Sequence, residues 1–438
     1  MLSARKAGNI GSIFVSSFKG ELPAHYQELK KEIAPKDPSV IQNAWKRLES
    51  SFKEEIPKIK ELGSQVIPQV NFHEKFDFPS DMKAEIKKRG CVIIRNVVPP
   101  EVAQGYKQQV LDYIAAHPGV PGFPDNDPQV WELYWSKAQV EARSHPHFLQ
   151  TATALNRLWH ADENDEVDLE TNLAYCDRVR IRKPKDHSFK LREHLDGGST
   201  ERWEDENYRK CFSNILEGKW EDHDPYDVTH RLDAKMQLHD APGGCEMFRT
   251  YQGWLALSSA KSGCGSLQLC PLIKETTAAI LMRPLMPDLL DSSSMAGAFP
   301  GTQIDIDPEL LPQVVDTTVC IPDMNPGDAV FWHCDMVHAV DSVCSQPTDA
   351  SVFYIPASPL CSINTAYVAK QRETFRLGLT PPDFPGNNAE KDFQDRATPD
   401  DLTPLARVGM GFQRLEPKHK LTKGAQAAVD NFNKVLGL

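Results

Sequence analysis

Two short stretches of this sequence carry side chains suited to metal chemistry. The first is His194-Leu195-Asp196-Gly197-Gly198. Residues two apart in a strand share a face, so His194 and Asp196 can offer one nitrogen and one oxygen to the same ion. The two glycines then let the chain turn away. The second stretch runs from Pro326-Gly327-Asp328 through Ala329-Val330-Phe331-Trp332 to His333, Asp335 and His338. It reads as a turn, a strand and a histidine-bearing loop. Two imidazoles and one carboxylate on one side of an ion leave three positions open, the ligand pattern of non-haem Fe(II) oxygenases. A bidentate 2-oxo acid and then dioxygen enter at those positions. Spacing leaves two sets open, because His333, Asp335 and His338 could form a local site. His194, Asp196 and His338 are preferred. His333 ends its strand beside bulky Trp332 and reads as core, whereas His338 lies further into the loop. Asp335 and His333 are then expected behind the ligands, orienting them.

These residues need strands to carry them. From about residue 172 short apolar runs alternate with Gly, Pro, Asp and Ser turns, at 173–182, 245–258, 264–271, 315–321, 327–333 and 350–355. That texture predicts a sandwich or barrel. Helical patterns flank it: 23–62, with Pro57, Pro68 and Pro79 expected to break the region, then 82–89, 101–116 and 128–160. Cys91–Val98 reads as a buried strand, 199–235 as a polar helical insertion, and 363–378 and 422–436 as C-terminal helices.

The chain has 438 residues and a net charge of −12, and 25% of its residues are charged. The acidic balance argues against a nucleic-acid partner. No apolar run has the length of a membrane span. Ten cysteines stand singly with no Cys-x-x-Cys pair, so they read as reduced thiols of a cytoplasmic protein. The first twenty residues carry Arg5, Lys6 and Lys19 and no acid up to that point, and are expected to be a frayed terminus rather than a transit peptide. There is no Gly-x-Ser-x-Gly elbow, no P-loop and no dinucleotide loop.

A wider set of motifs carries a resemblance. Lys88–Val98, Ala142-Arg143-Ser144-His145-Pro146, His194–Ser199 with Glu201-Arg202-Trp203, Tyr251–Ser258, Trp332–His338 and Tyr354-Ile355-Pro356 resemble the YbiU-like branch of the Fe(II)/2-oxoglutarate-dependent dioxygenases of phytanoyl-CoA hydroxylase type, over about 12–415. The resemblance implies an α+β protein built on a double-stranded β-helix (a cupin-like jelly roll) with flanking helices at both ends. It also implies iron, and 2-oxoglutarate and dioxygen as co-substrates. Such enzymes place an Arg on the strand after the distal His to hold the far carboxylate of 2-oxoglutarate. Residues 339–371 contain no Arg. A dicarboxylate still needs a cation. The candidates are Arg249, then Arg180 and Arg182, with Ser351 and Tyr354 as the polar groups of the 350–355 strand. Arg202, Arg372 and Arg376 are further options.

The expected organisation is a helical extension over 1–80, a jelly-roll domain over 81–380 and a linker with a helix over 381–438. The expected activity is oxidation of an unactivated C–H bond of a small polar metabolite, with amino acids as a candidate class, by hydroxylation, cyclisation or desaturation, with 2-oxoglutarate converted to succinate. The alternative is a jelly-roll ligand-binding protein or a non-oxidative metal enzyme.

Overall fold

The computed structural model describes residues 21–188, 191–239, 244–384, 386 and 390–438. The basic N-terminal stretch, with Arg5, Lys6 and Lys19, lies outside the described residues. Among the described residues no helix is long and apolar enough to cross a membrane. All ten cysteines are free thiols.

Two sheets carry the functional residues. The larger has eight strands in the order Gln69–Asn71, Cys91–Arg95, Ala329–His333, Tyr251–Ala256, Ala350–Tyr354, Val179–Arg182, Val130–Trp131 and Gly122–Phe123. Only the first pair is parallel. The smaller is antiparallel, in the order Ile304–Asp305, Leu191–Leu195, His338–Val340, Leu267–Leu269 and Val319–Cys320. Strand alternation sorts the large sheet into two faces. Trp254, Ala256, Val330, Trp332, Ala350 and Val352 join a core with residues of the small sheet. Tyr251, Leu255, Ala329, Phe331, Val179 and Phe353 join a second core. That core lies under the helices Pro100–Ala116, Lys137–Arg143 and Pro146–Asn156.

The N-terminal helices His25–Ile33 and Ser39–Leu62 pack their apolar stripe (Ile41, Ala44, Leu48, Phe52, Ile59) into the first core. Pro57 does not break the second of them. A proline removes one internal hydrogen bond, but Phe52 and Ile59 are buried on either side and hold the helix through it. The expected helix over 128–160 begins only at Lys137, where the Ser136 hydroxyl accepts from the Gln139 amide. A short strand precedes it. The expected strand over 315–321 is a helical turn, Pro312–Val315, and a two-residue strand. The C-terminal helices Ser362–Leu377 and Lys423–Val435 share a third core with Tyr134, Trp135 and Tyr175.

Gly253 sits in the middle of the large sheet. A Cβ there would lie 2.4 Å from the Phe331 ring and 2.9 Å from the Val330 carbonyl oxygen. Gly253→Ala is expected to lower stability by about 1–3 kcal/mol, read as a lower denaturation midpoint in urea with an unchanged slope.

Candidate metal centre

His194 and His338 face each other across the antiparallel pair of Leu191–Leu195 and His338–Val340, in direct register. Their rings are 4.2 Å apart between centroids. The His194 Nδ1 is 2.7 Å from the Arg192 carbonyl oxygen, and the His338 Nδ1 is 3.1 Å from that of Met336. Each Nδ1–H donates to its carbonyl, which leaves each Nε2 with a free lone pair. Both Nε2 atoms point at Asp196, at 3.7 Å for His194 and 3.5 Å for His338. One ligand atom from each of the three lies within 4.8 Å of the others. Two nitrogens and one carboxylate with free lone pairs suit a divalent transition metal.

Burial pushes the His194 imidazole down to about 4, and the neighbouring His338 adds to the shift. Burial alone would raise the Asp196 carboxyl. The facing His338 and His194 rings and the Arg249 guanidinium outweigh it and hold Asp196 well below the usual carboxylate range. His194 is therefore held neutral and Asp196 ionised, the forms a cation binds.

The rival local set is otherwise engaged. The His333 Nε2 donates to the Pro225 carbonyl at 2.9 Å, and its Nδ1 accepts from the Asp335 amide at 3.0 Å. Both ring nitrogens are used. The ring stacks on Trp159, 4.8 Å away and 5° from parallel, on the face of the sheet opposite Trp332. The Asp335 carboxylate takes Arg202 at 2.6 Å and Arg231 on both oxygens. All three groups are buried. Burial opposes ionisation of Asp335, but the two guanidinium groups prevail and hold its carboxyl well below the usual range. Arg202 also donates to the Asp196 carbonyl oxygen at 2.9 Å. Asp335 is thus linked to the triad through Arg202, while His333 does not touch it. The turn after Asp196 is formed by Gly197 at φ 77° and Gly198 at φ 89°. Tyr208 pins it by donating to the Gly197 carbonyl at 2.6 Å.

A cavity of about 170 Å³ lies between the sheets at this centre. The small sheet contributes Leu191, His194, Leu267, His338 and Val340, and the large sheet Arg180, Gln252, Trp254, Trp332 and Tyr354, with Arg178 just before its strand. The Trp332 ring is 5.2 Å from that of His338. The Gln252 Nε2 and Trp332 Nε1 are buried donors with no acceptor. Of the expected cationic residues, Arg180 and Arg249 line the cavity. Arg182 instead pairs with Asp186 and the Gly265 and Asp341 carbonyls. Arg372 donates to the Gly411 and Leu436 carbonyls, and Arg376 pairs with Glu373. Ser351, expected beside the co-substrate, does not line the cavity. Alternation turns Ala350, Val352 and Tyr354 inward. Ser351 therefore faces away and donates to Asp349. Sequence reading passed over Arg178 and Phe384 as cavity residues; neither lies in a motif.

A model of the Gig2-like family matches residues 20–412. The chain belongs to the Gig2-like family. Among Gig2-like relatives, YbiU of Escherichia coli K12 is 32% identical over 373 residues, 82% of this chain and 88% of that one. GlcNAc Inducible Gene 2 of Candida albicans superposes with a TM-score of 0.87 at 30% identity, covering 96% of both chains. A Salmonella typhimurium LT2 protein provisionally described as an oxidoreductase gives a TM-score of 0.81 at 31% identity, over 89% of this chain and 98% of that one. The similarity to YbiU agrees with the sequence resemblance.

Two predictions follow from this geometry. In calorimetric titration with Mn(II), His194→Ala, Asp196→Ala and His338→Ala each weaken binding by at least about 100-fold, while His333→Ala retains affinity within a few-fold. The second concerns acid stability. Burial lowers His333 from 6.5 to about 3 in the folded chain. Between these values the unfolded chain takes up a proton that the folded chain refuses, so stability falls as pH falls. In His333→Asn the pH dependence of unfolding free energy between pH 4 and 6 is expected to be shallower by about 1.4 kcal/mol per pH unit.

Proposed function

We propose that this Gig2-like chain is a mononuclear Fe(II)/2-oxoglutarate-dependent oxygenase of a small polar metabolite, an amino acid being the leading candidate class. The reading is carried by one observation: two imidazoles with free Nε2 atoms converge on one carboxylate at the wall of a cavity between two sheets. On this reading the two sheets form a double-stranded β-helix, with the metal held at its mouth. His194, Asp196 and His338 hold Fe(II) and leave its other positions to ligands. Bound iron and 2-oxoglutarate supply the dioxygen chemistry that oxidises a C–H bond and yields succinate and carbon dioxide.

The chain's own residues bind and orient. Arg180 is the cation for the far carboxylate of 2-oxoglutarate. It pairs in register with Val352 of the strand that follows His338, and points to the same face. A cation one strand away thus does the work of the Arg missing from 350–355. The buried donors on Gln252 and Trp332 suit an oxygen-rich ligand, because an unmet donor in a closed cavity costs about 1–3 kcal/mol. Trp254, Trp332 and Leu267 exclude water from the remaining wall.

With Fe(II), ascorbate and dioxygen, the wild type is expected to release succinate from 2-oxoglutarate, and Asp196→Ala to release none. Arg180→Met is expected to raise the KM for 2-oxoglutarate by about tenfold or more. Absence of succinate, together with no visible metal-to-ligand absorption when Fe(II) and 2-oxoglutarate are combined anaerobically, would instead mark a ligand-binding protein.

A further inference from the structure

The cavity holds cations at two ends, with the metal triad between them. Gln252 and Trp332 share one row of the large sheet, and Trp332 touches His338. Arg180 lies in the row of Val352 and Ala256. That is two inward rows further along, about 13 Å of strand. Arg249 lies on the other side of the Gln252 row, just before its strand begins. One dicarboxylate bound to the metal reaches one of these cations and leaves the other.

Arg249 differs from the other guanidinium groups of the region. It makes no hydrogen bond or ion pair with any described residue. Arg178, by contrast, pairs with Asp177 at 3.2 Å. The Arg249 guanidinium rests over the Tyr175 ring, 5.5 Å from its centroid. The Tyr175 hydroxyl donates to Asp383 at 2.9 Å, which fixes that ring in place. Arg249 lines the same cavity as His194, Asp196 and His338. A guanidinium held on an aromatic face with its donors unspent, in a cavity wall, is a receptor for a planar oxyanion.

We infer that Arg249 binds the carboxylate of the substrate itself, so that this oxygenase acts on small carboxylic acids presented from the Tyr175 side of the metal. The inference rests on the oxygenase reading above for the identity of the other ligand. Arg180 is almost wholly buried, which suits a co-substrate that enters first. Arg249 is only half-buried, which suits the ligand that enters second. Tyr175 lies under Arg249 and Phe384 lies beside Tyr175, so the body of the acid meets aromatic rings on that side of the cavity.

The test is calorimetric and needs no turnover. The full chain loaded with Mn(II), with and without 2-oxoglutarate, is titrated with a panel of two- to eight-carbon amino, hydroxy and unsubstituted monocarboxylic acids and with their primary amides. At least one acid is expected to bind, its amide about tenfold more weakly or worse. Arg249→Met should lose that preference and Arg249→Lys should keep part of it. Arg180→Met should weaken 2-oxoglutarate more than Arg249→Met does. The inference is overturned if no acid binds, if amides bind as well as acids, or if Arg249→Met is the variant that loses 2-oxoglutarate. Failure of the wild type to bind 2-oxoglutarate at all would instead remove the oxygenase reading. The titrations without 2-oxoglutarate would still decide the role of Arg249.

Discussion

The centre depends on one strand register. His194 and His338 are opposite each other in an antiparallel pair, and side chains directly opposite across such a pair share a face. A slip of one residue would send one imidazole to the far face. Asp196 then follows His194 by two residues and returns to the same side. The two imidazoles are therefore placed by the sheet itself, and Asp196 by the residue that directly follows its strand. The local irregularity between His338 and Val340 is confined to the residues past the pairing. Two carbonyls, of Arg192 and Met336, complete the arrangement by orienting the rings.

The register alone leaves the turn after Asp196 unsupported. Glycines at left-handed φ values make that turn open, and an open turn costs ordering entropy. The buried Asp335 carboxylate supplies the restraint. It anchors Arg202, and Arg202 reaches the Asp196 carbonyl. Arg231 neutralises the remaining oxygen. Removing one partner of such a buried cluster leaves an uncompensated charge. Asp335 therefore couples the segment leading into the His338 strand to the turn that follows Asp196, and the two halves of the site are held to each other as well as to the sheet.

Much of this was legible in the sequence, and the reason is local. The His194-x-Asp196 pair depends on a period of two, the glycines after it on a turn, and the strand ending at His333 on a short continuous apolar run bounded by Pro326-Gly327. The helices over 25–62, 100–116, 362–377 and 423–435 show their apolar stripes plainly. What escaped depends on long-range contact. The helix Ile273–Met282 is buried along most of its length, so it has no amphipathic stripe to betray it. The ribbon of Val167–Asn172 with Pro359–Cys361 joins segments far apart in the chain. Pro57 reads as a breaker until the packing on both sides of it is known. Ser351 was assigned by polarity alone, and only the pairing of its strand reveals that its neighbours take the inner face.

The arginine question shows the same limit in a sharper form. A motif search asks which residue follows the distal histidine along the chain. The site asks which cation reaches a point in space. Adjacent strands of a sheet lie about 4.8 Å apart, less than the length of an arginine side chain. A guanidinium can therefore move to the neighbouring strand and still serve the same carboxylate. Val352 stands where the missing Arg is sought, and Arg180 lies directly beside it on the same face. Relocation has a second effect. On the oxygenase reading it frees the charge requirement from the strand that follows His338, so a second cation lining the cavity, Arg249, is left for another ligand. On the same reading, two guanidinium groups set in different rows of one cavity wall favour two separate anions over one, and that separation gives the cavity a direction.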